Sequence, residues 1–499
     1  MTKIKSLLKD IKKYLVKDIS LVKKKKIIFP ITIVITAIFL SLPVLAQPMI
    51  TEGDAYDRVF DAYRLYKSNK IYESFGGTWL PVHKSILAIS LYFHDSYHLT
   101  PRIATVVING MAAYVLYKLT LIIFENDKNK KLISNLTLIL YLIFPQRIFI
   151  STQTLTEPVA TFFILSAIYF LVKNQLFKST IFLYIAQGIR YEAWFLVPFF
   201  ILYLILNDKK NKILAILSYF IFPIYWFLEN LRKNGSGLEF FSEKYSVAQN
   251  AGFVKEYWNF PLSLMSWINN AYYLLGLTGS LLMIYGIFCF VKNKEKNKVG
   301  VFILSTGLYL FSILVFQVFV GTMEWFPHRY LFLPLTILFP FFGYGLALFV
   351  KKINNLPLAL SLAPLVFIDI FYTYQLMHTI SAPDLRYPTD KVSSLEELNR
   401  FYQNIIKDTN LKTLYVFNIN NNYWLFPQFV YFNKLNVNKE DLWVTEDKNL
   451  EKYLQESRLE NTYIIIENPA VNFVKIVSEN QKVFSNDLFV VYNYKNSLK

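Results

Sequence analysis

A single cysteine, Cys289, occurs in 499 residues. With no second thiol in the chain, no internal disulfide framework can form, so any segment outside a reducing compartment folds without covalent staples. Cys289 lies within an apolar block, where it reads as a small lipid-buried side chain. Histidine is scarce as well: His83, His94, His98, His328 and His378 are the five. Of these, His94 and His98 make only a weak ligand pair, so zinc is not expected. Charged residues are 17% of the chain, whereas a soluble protein that divides at this length into about three domains carries roughly 25%. No internal repeat or low-complexity segment is present, and no Gly-rich phosphate loop, metal cluster or nucleophile elbow occurs toward the C-terminus.

Apolar residues, 54% of the total, come in long blocks at 27–46, 132–150, 213–231, 301–320 and 330–350. Each has the length of about 17 to 25 residues that crosses a hydrocarbon core as a helix. Membrane-barrel strands would instead alternate over about ten residues, which these blocks do not. The net charge of +17 falls in short lysine runs between the blocks, at 23–26, 128–131, 209–212, 292–298 and 351–352. That is the positive-inside pattern of an integral membrane protein with a cytoplasmic N-terminus. No basic, aromatic-interleaved soluble module suggests a nucleic-acid partner. The basic stretch 1–26 suits the surface of an anionic bilayer. Block 27–46 follows so long a basic region, and is itself so long, that it reads as an uncleaved first span rather than a signal peptide.

Keeping every lysine cluster on one side decides the topology. Segment 179–206 is too long for one comfortable span and too short for two. As a single pass it would invert all later clusters, so it reads as a hairpin turning at Gly188-Ile189-Arg190-Tyr191-Glu192. Arms of about 11 to 15 residues reach only roughly 16 to 22 Å, so the turn lies at membrane depth, against protein or a water-filled cavity. The expected architecture is an α-helical polytopic membrane domain at 27–377 with about eleven transmembrane helices, and an outer loop at 47–100. Region 378–499 reads as a small extracytoplasmic α/β domain. It opens on the capping box Ser394-Leu395-Glu396-Glu397, with strands at 412–419, 462–466 and 488–494 and a helix near 450–459.

Candidate reactive residues gather on the non-cytoplasmic side. In the first loop Asp54, Asp57 and Asp61 recur at helical spacing, as do Tyr56, Val59, Phe60 and Tyr63, giving an amphipathic interfacial helix. Its acidic face is either simply solvated or holds a partly desolvated carboxylate, suited to general-base work. Glu157 opens the fourth span, as a dipole partner or as a site residue. Arg190 and Glu192 at the hairpin either pair with each other or line a functional cavity. In Trp325-Phe326-Pro327-His328-Arg329-Tyr330 the Arg329 fork is an interfacial anchor or a phosphate ligand. Together these groups describe a pocket for an anionic, lipid-tethered substrate.

Taken in order, these motifs resemble the GT-C superfamily of lipid-dependent glycosyltransferases, specifically the group of protein O-mannosyltransferases and bacterial aminoarabinose- and mannosyl-type transferases. Its carriers are Gly53-Asp54-Ala55-Tyr56, Pro101-Arg102-Ile103, Gln153-Thr154-Leu155-Thr156-Glu157-Pro158, Gly188-Ile189-Arg190-Tyr191-Glu192 and His328-Arg329-Tyr330-Leu331, spread over roughly the first 350 residues. The resemblance implies transfer of a hexosyl or pentosyl unit, mannosyl-like, from a polyprenyl-phosphate donor to a protein, lipid or glycan hydroxyl. It also implies Asp54 as catalytic carboxylate. Many members have Asp-Glu there, and this chain has Asp54-Ala55, which leaves Asp57 or Glu52 to share the work. The Trp-Trp-Asp motif of oligosaccharyltransferases is missing; Tyr423-Trp424-Leu425 is the nearest string. With Asp54 as base and Arg329, His328 and Arg190 facing the leaving phosphate, transfer inverts configuration and requires no metal or other cofactor, while remaining compatible with a divalent ion. Asp57, Arg58, Glu157, Glu192 and Tyr330 complete the expected substrate-binding set. The competing readings are a transporter or flippase of lipid-linked glycans, which would show matched repeats, and a non-catalytic envelope scaffold.

Overall fold

A computed structural model describes residues 28–46, 53–68, 80–94, 96, 99–207, 212–238, 260–293, 297–319 and 328–352, helical positions 394, 397–398 and 400–401, and five later strands. The helices in chain order are α1 (Ile28–Leu45), α2 (Gly53–Ser68), α3 (Pro81–Leu91), α4 (Thr100–Ile123), α5 (Lys130–Ile143), α6 (Pro145–Thr152), α7 (Thr156–Val172), α8 (Leu176–Gln187), α9 (Glu192–Phe195), α10 (Val197–Leu206), α11 (Lys212–Tyr219), α12 (Ile221–Asn234), α13 (Phe260–Lys292), α14 (Lys298–Phe319) and, after a 3-10 turn at His328–Leu331, α15 (Phe332–Lys352).

Among the described residues, five helices are long and apolar enough to cross a membrane, or six if the bent pair α5–α6 counts as one span. That is fewer than the sequence suggested, and the reasons are local. The apolar block 132–150 bends by 52° where Phe144 meets Pro145. A residue before proline is driven out of the helical region, and Phe144 is extended at φ −60, ψ 117. The apolar stretches Thr156–Val172, Glu192–Leu206 and Thr278–Lys292 are shorter helices. Within α13, Gly276 is non-helical at φ 71, ψ 172. The expected last span at 357–377, the N-terminal 1–26 and Glu52 lie outside the described residues.

Helix directions follow from side-chain pairings. Ser179 Oγ of α8 donates to the Ala167 carbonyl of α7 at 2.9 Å, and the Phe163 and Phe182 rings lie 5.9 Å apart, so these neighbours are antiparallel. On the other side of α8, the Thr180 and Ser218 hydroxyls meet at 3.4 Å and the Tyr184 and Phe222 rings at 5.2 Å. Residues advance together there, so α8 runs parallel to α11–α12. The chain must therefore reverse between them, and α9–α10 is the returning arm of the hairpin read from the lysines.

The lysine-bearing turns also gather at one end. Asn297 donates to the Ile122 carbonyl at 2.9 Å and to Glu125 at 2.8 Å, while Phe124 stacks on Tyr344 at 4.7 Å. These contacts join the turn after α4, the turn before α14 and the last part of α15. Glu157 and Arg190 begin or end their helices at the opposite end of the bundle.

Small residues let the helices close. A Cβ on Gly286 of α13 would overlap the Phe341 carbonyl of α15, and one on Gly345 would overlap the Leu282 carbonyl of α13. Close backbone approach of this kind is how apolar helices associate where lipid removes the hydrophobic incentive.

The helix expected after the first span is α2; it packs its Ala55, Val59, Ala62 and Leu65 face inward and lies against α3, with a Lys84–Asp61 ion pair at 3.3 Å and the Tyr66 and Tyr92 rings at 4.9 Å.

Beyond the helices stands one mixed sheet of β1 (Lys412–Phe417), β2 (Leu442–Glu446), β3 (Thr462–Glu467), β4 (Gln481–Ser485) and β5 (Phe489–Tyr494), in the order β2-β1-β3-β5-β4. β2, β1 and β3 are parallel, and β5 pairs antiparallel with β3 and β4. Three strands fall where the apolar runs placed them. β2 and β4, reading Leu-Trp-Val-Thr-Glu and Gln-Lys-Val-Phe-Ser, are too short and polar to announce themselves. Phe401, after the capping box, stacks on Phe484 at 4.7 Å; the expected helix near 450–459 lies outside the described residues.

The glycine crossing carries a stability expectation. Gly286→Val should destabilise the detergent-purified protein by at least about 2 kcal/mol, because the extra carbons must displace backbone rather than a side chain; an unchanged thermal midpoint would show that α13 and α15 do not cross this closely.

Candidate active site

Three chain segments are fixed around the buried Arg102 at the start of α4. Its Nε donates to the Thr152 carbonyl at 2.7 Å, Nη2 to the Val44 carbonyl at 2.7 Å and Nη1 to the Leu45 carbonyl at 3.2 Å. Val44 and Leu45 end α1, where carbonyls have no partner within the helix and the dipole favours a cation. Arg102 thus ties the end of α1 and the end of α6 to α4, and so positions both segments that carry candidate reactive residues. The Pro101-Arg102-Ile103 motif gave no hint of this role, since the partners are backbone atoms 50 and more residues away.

From Thr152 the chain turns through Thr154, a buried β-branched residue at φ 56. Left-handed backbone is costly there, about 1–3 kcal/mol, and is kept where the surroundings fix it. The Thr154 hydroxyl donates to the Gln153 carbonyl at 2.6 Å and faces the Ala55 carbonyl at 3.4 Å. That contact brings the first turn of α2, which carries Asp54, against the turn that carries Glu157.

Glu157 sits in the first turn of α7, buried, with a cation on each side. Arg190 Nη1 lies 2.5 Å from Glu157 Oε1, and Arg329 Nε lies 3.8 Å from the same oxygen. Arg190 Nη1 also donates to Thr156 Oγ1 at 2.8 Å, while its Nε and Nη2 grip Glu192 at 2.9 and 2.5 Å. Tyr330 presents its ring to both guanidinium groups, at 4.9 Å from Arg190 and 5.1 Å from Arg329, and Arg329 Nη2 reaches the Tyr330 hydroxyl at 3.4 Å. The site thus joins α7, the hairpin turn and the 3-10 turn before α15. Arg190 and Glu192 do pair, as one sequence reading had it, yet they do so inside a larger ion network. Arg190 already spends all three nitrogens on protein partners.

Arg58, half-buried on α2, approaches this network through His83. Positions 54 and 57 are in α2 and position 328 is in the 3-10 turn, but the side chains of Asp54, Asp57 and His328 lie outside those described. Among the described residues no group of three or more His, Cys, Asp or Glu is arranged to hold a metal ion.

His83 is a member of this neighbourhood that its sequence did not reveal. The Val82 amide donates to the Gly188 carbonyl at 2.9 Å, which ties the start of α3 to the hairpin turn. This leaves His83 fully buried, with neither ring nitrogen in a well-formed hydrogen bond, although the Leu155 backbone adjoins the ring. Burial first, then the positive charges of Arg58 and Arg190, hold its pKa well below the usual histidine value. A lone His in a short helix carries no signal of such a setting.

The neutral imidazole has a pH consequence. The unfolded chain takes up a proton below about pH 6.5 and the folded one resists it, so stability falls as pH drops through that value toward the depressed one. Thermal melts from pH 7 to pH 5 should show this group removing up to about 1.4 kcal/mol per unit below pH 6.5, and His83→Leu should remove that part of the slope. Identical slopes in both proteins would mean that His83 is protonated without cost.

No protein-family model matches the sequence, and no curated protein matches it. Solved structures do. ArnT from Cupriavidus metallidurans bound to undecaprenyl phosphate is similar with a TM-score of 0.60 at 10% identity, over 94% of this chain and 98% of that one. The same protein in the apo state gives 0.57 at 10% identity, over 93% and 97%. The likeness extends past the first 350 or so residues that the motifs covered and takes in nearly the whole chain. The chain has the fold of ArnT.

Proposed function

We propose that this membrane protein is a glycosyltransferase that moves a sugar from a polyprenyl-phosphate carrier to an acceptor hydroxyl on the extracytoplasmic side, with inversion and with Asp54 as general base. The observation that carries the reading is the contact between Thr154 and Ala55, which sets the Asp54 turn beside the Glu157, Arg190 and Arg329 network. A base and a cationic group are the two things such a transfer needs within reach of one sugar. The carrier class is supported by the undecaprenyl phosphate bound to the ArnT of the same fold. A sugar donor outside the cytoplasm must be lipid-borne, since nucleotide sugars are not supplied there.

In this scheme the acceptor oxygen attacks the anomeric carbon as Asp54 takes its proton. The bond from that carbon to the carrier phosphate oxygen breaks, and the phosphate leaves on its lipid. Arg329, assisted by His328, stabilises the growing negative charge. Arg190 is better suited to holding Glu157 and Glu192 in place, because its donors are already committed to them. Asp57 and Arg58 on α2, with Tyr330, complete the pocket. The sugar is hexosyl or pentosyl, the acceptor a protein, lipid or glycan, and no cofactor is required.

Membranes containing the protein, incubated with a panel of polyprenyl-phosphate sugars, should consume one of them; consumption of none would remove this function. Asp54→Asn should keep its thermal midpoint and lose about 10²- to 10⁴-fold in transfer, and near-normal transfer would move the base to Asp57 or Glu52. The two arginines should separate. Arg190→Met removes the cation closest to the buried Glu157 and the partly buried Glu192 and should cost about 3–5 kcal/mol of stability. Arg329→Met should leave the midpoint far less changed while lowering transfer. Equal loss of stability in both variants would contradict the division of roles.

A further inference from the structure

Among the described residues, a further buried cation stands apart from the network just described and from Arg102. Arg147 lies in α6, two residues past Pro145 and five before Thr152, and is fully buried. None of its three guanidinium nitrogens has a hydrogen-bond partner among the described residues. Its ionisable neighbour there is the Tyr141 hydroxyl on α5. That hydroxyl accepts from Asn109 Nδ2 of α4 at 2.8 Å and adjoins Thr336 of α15. Aromatic rings close the surroundings: Phe339 lies 5.7 Å and Phe332 6.3 Å from Tyr141.

A buried guanidinium with no counter-charge is among the most costly arrangements a membrane interior can hold. Arg102 and Arg190, on the same side of the bundle, show the ordinary solution, with every nitrogen engaged. Arg147 is also held by rigid parts: the bend of 52° at Pro145 turns α6 so that it packs against α4 and α5. Five unspent N–H groups in a planar fork match two oxygens of one tetrahedral anion, and the Asn109 amide with the Tyr141 and Thr336 hydroxyls surrounds that position with further polar groups.

We infer that Arg147, with Asn109, Tyr141 and Thr336, forms a second, deeper oxyanion site that binds a phosphate group, separate from the Glu157–Arg190–Arg329 network. A phosphate in so apolar a place reaches it on a lipid or as the free ion. The lipid source rests on the proposed transferase function; the site itself does not.

The test is the thermal midpoint of the purified full-length protein in detergent, titrated with undecaprenyl phosphate, undecaprenol and inorganic phosphate, for wild type, Arg147→Met and Arg147→Lys. Arg147→Met should melt higher than wild type without ligand, because a solitary buried charge has been removed. It should also bind the phosphate-bearing ligand roughly ten- to a hundredfold more weakly, the effect of losing charged hydrogen bonds, with Arg147→Lys in between. Protection of wild type by undecaprenyl phosphate and not by undecaprenol or inorganic phosphate, lost in Arg147→Met, assigns a lipid phosphate. Protection by inorganic phosphate as well, lost in Arg147→Met, assigns the free ion. Equal protection of wild type and Arg147→Met, or no protection of wild type by either phosphate, overturns the site. Sugar transfer measured on the same preparations separates the two readings. Transfer with Arg147-independent binding leaves the function and removes the site; Arg147-dependent binding without transfer does the reverse.

Discussion

Arg190 donates every nitrogen it has to Glu157, Glu192 and Thr156, and those residues come from two chain segments that meet only in the folded bundle. In a low-dielectric interior the three charges are tolerable only together, since any one of them alone would be an uncompensated buried ion. The pairing therefore acts as a constraint on everything around it. It requires the hairpin after α8 to turn where it does, α7 to start at the same end, and the 3-10 turn to bring Tyr330 and Arg329 beside them. The strained Thr154 and the carbonyl-binding Arg102 serve the same constraint from the side of the first loop.

That constraint draws charges of both signs together. Glu157 and Glu192 are balanced by Arg190 and Arg329, and Arg58 adds a further positive charge near the neutral His83. Arg147 adds a buried cation on α6.

Helix packing supplies the rigidity. The glycine-mediated crossing of α13 and α15 and the antiparallel contact of α7 with α8 set the ends of those helices to fixed heights. Threonine and serine hydroxyls return to carbonyls one turn back, as Thr105, Thr120, Thr137 and Thr161 do, so polar side chains sit inside apolar helices without needing water. The site depends on these details because its members are spread over α2, α3, α7, the hairpin and the turn before α15.

By itself the sequence determined that the chain is a helical membrane protein, because hydrophobic length and lysine placement are local properties that partition into lipid and orient insertion. It also determined the hairpin, since the charge rule left one way to thread 179–206, and it singled out Arg190, Glu192, Glu157 and Arg329 as ionisable groups placed where lipid does not forgive them. Only the tertiary structure decided which of those groups pair. A cation cannot announce in sequence whether its partner is two residues away, as Glu192 is, or 33 away, as Glu157 is. The bend at Pro145 and the break at Gly276 were likewise invisible in block lengths, which record apolar content and not axis direction. Arg102, His83 and Arg147 passed unassigned for the same reason: each is defined by burial against distant backbone or by the lack of a nearby counter-charge. Those are facts about the packed bundle, and no stretch of the chain contains them.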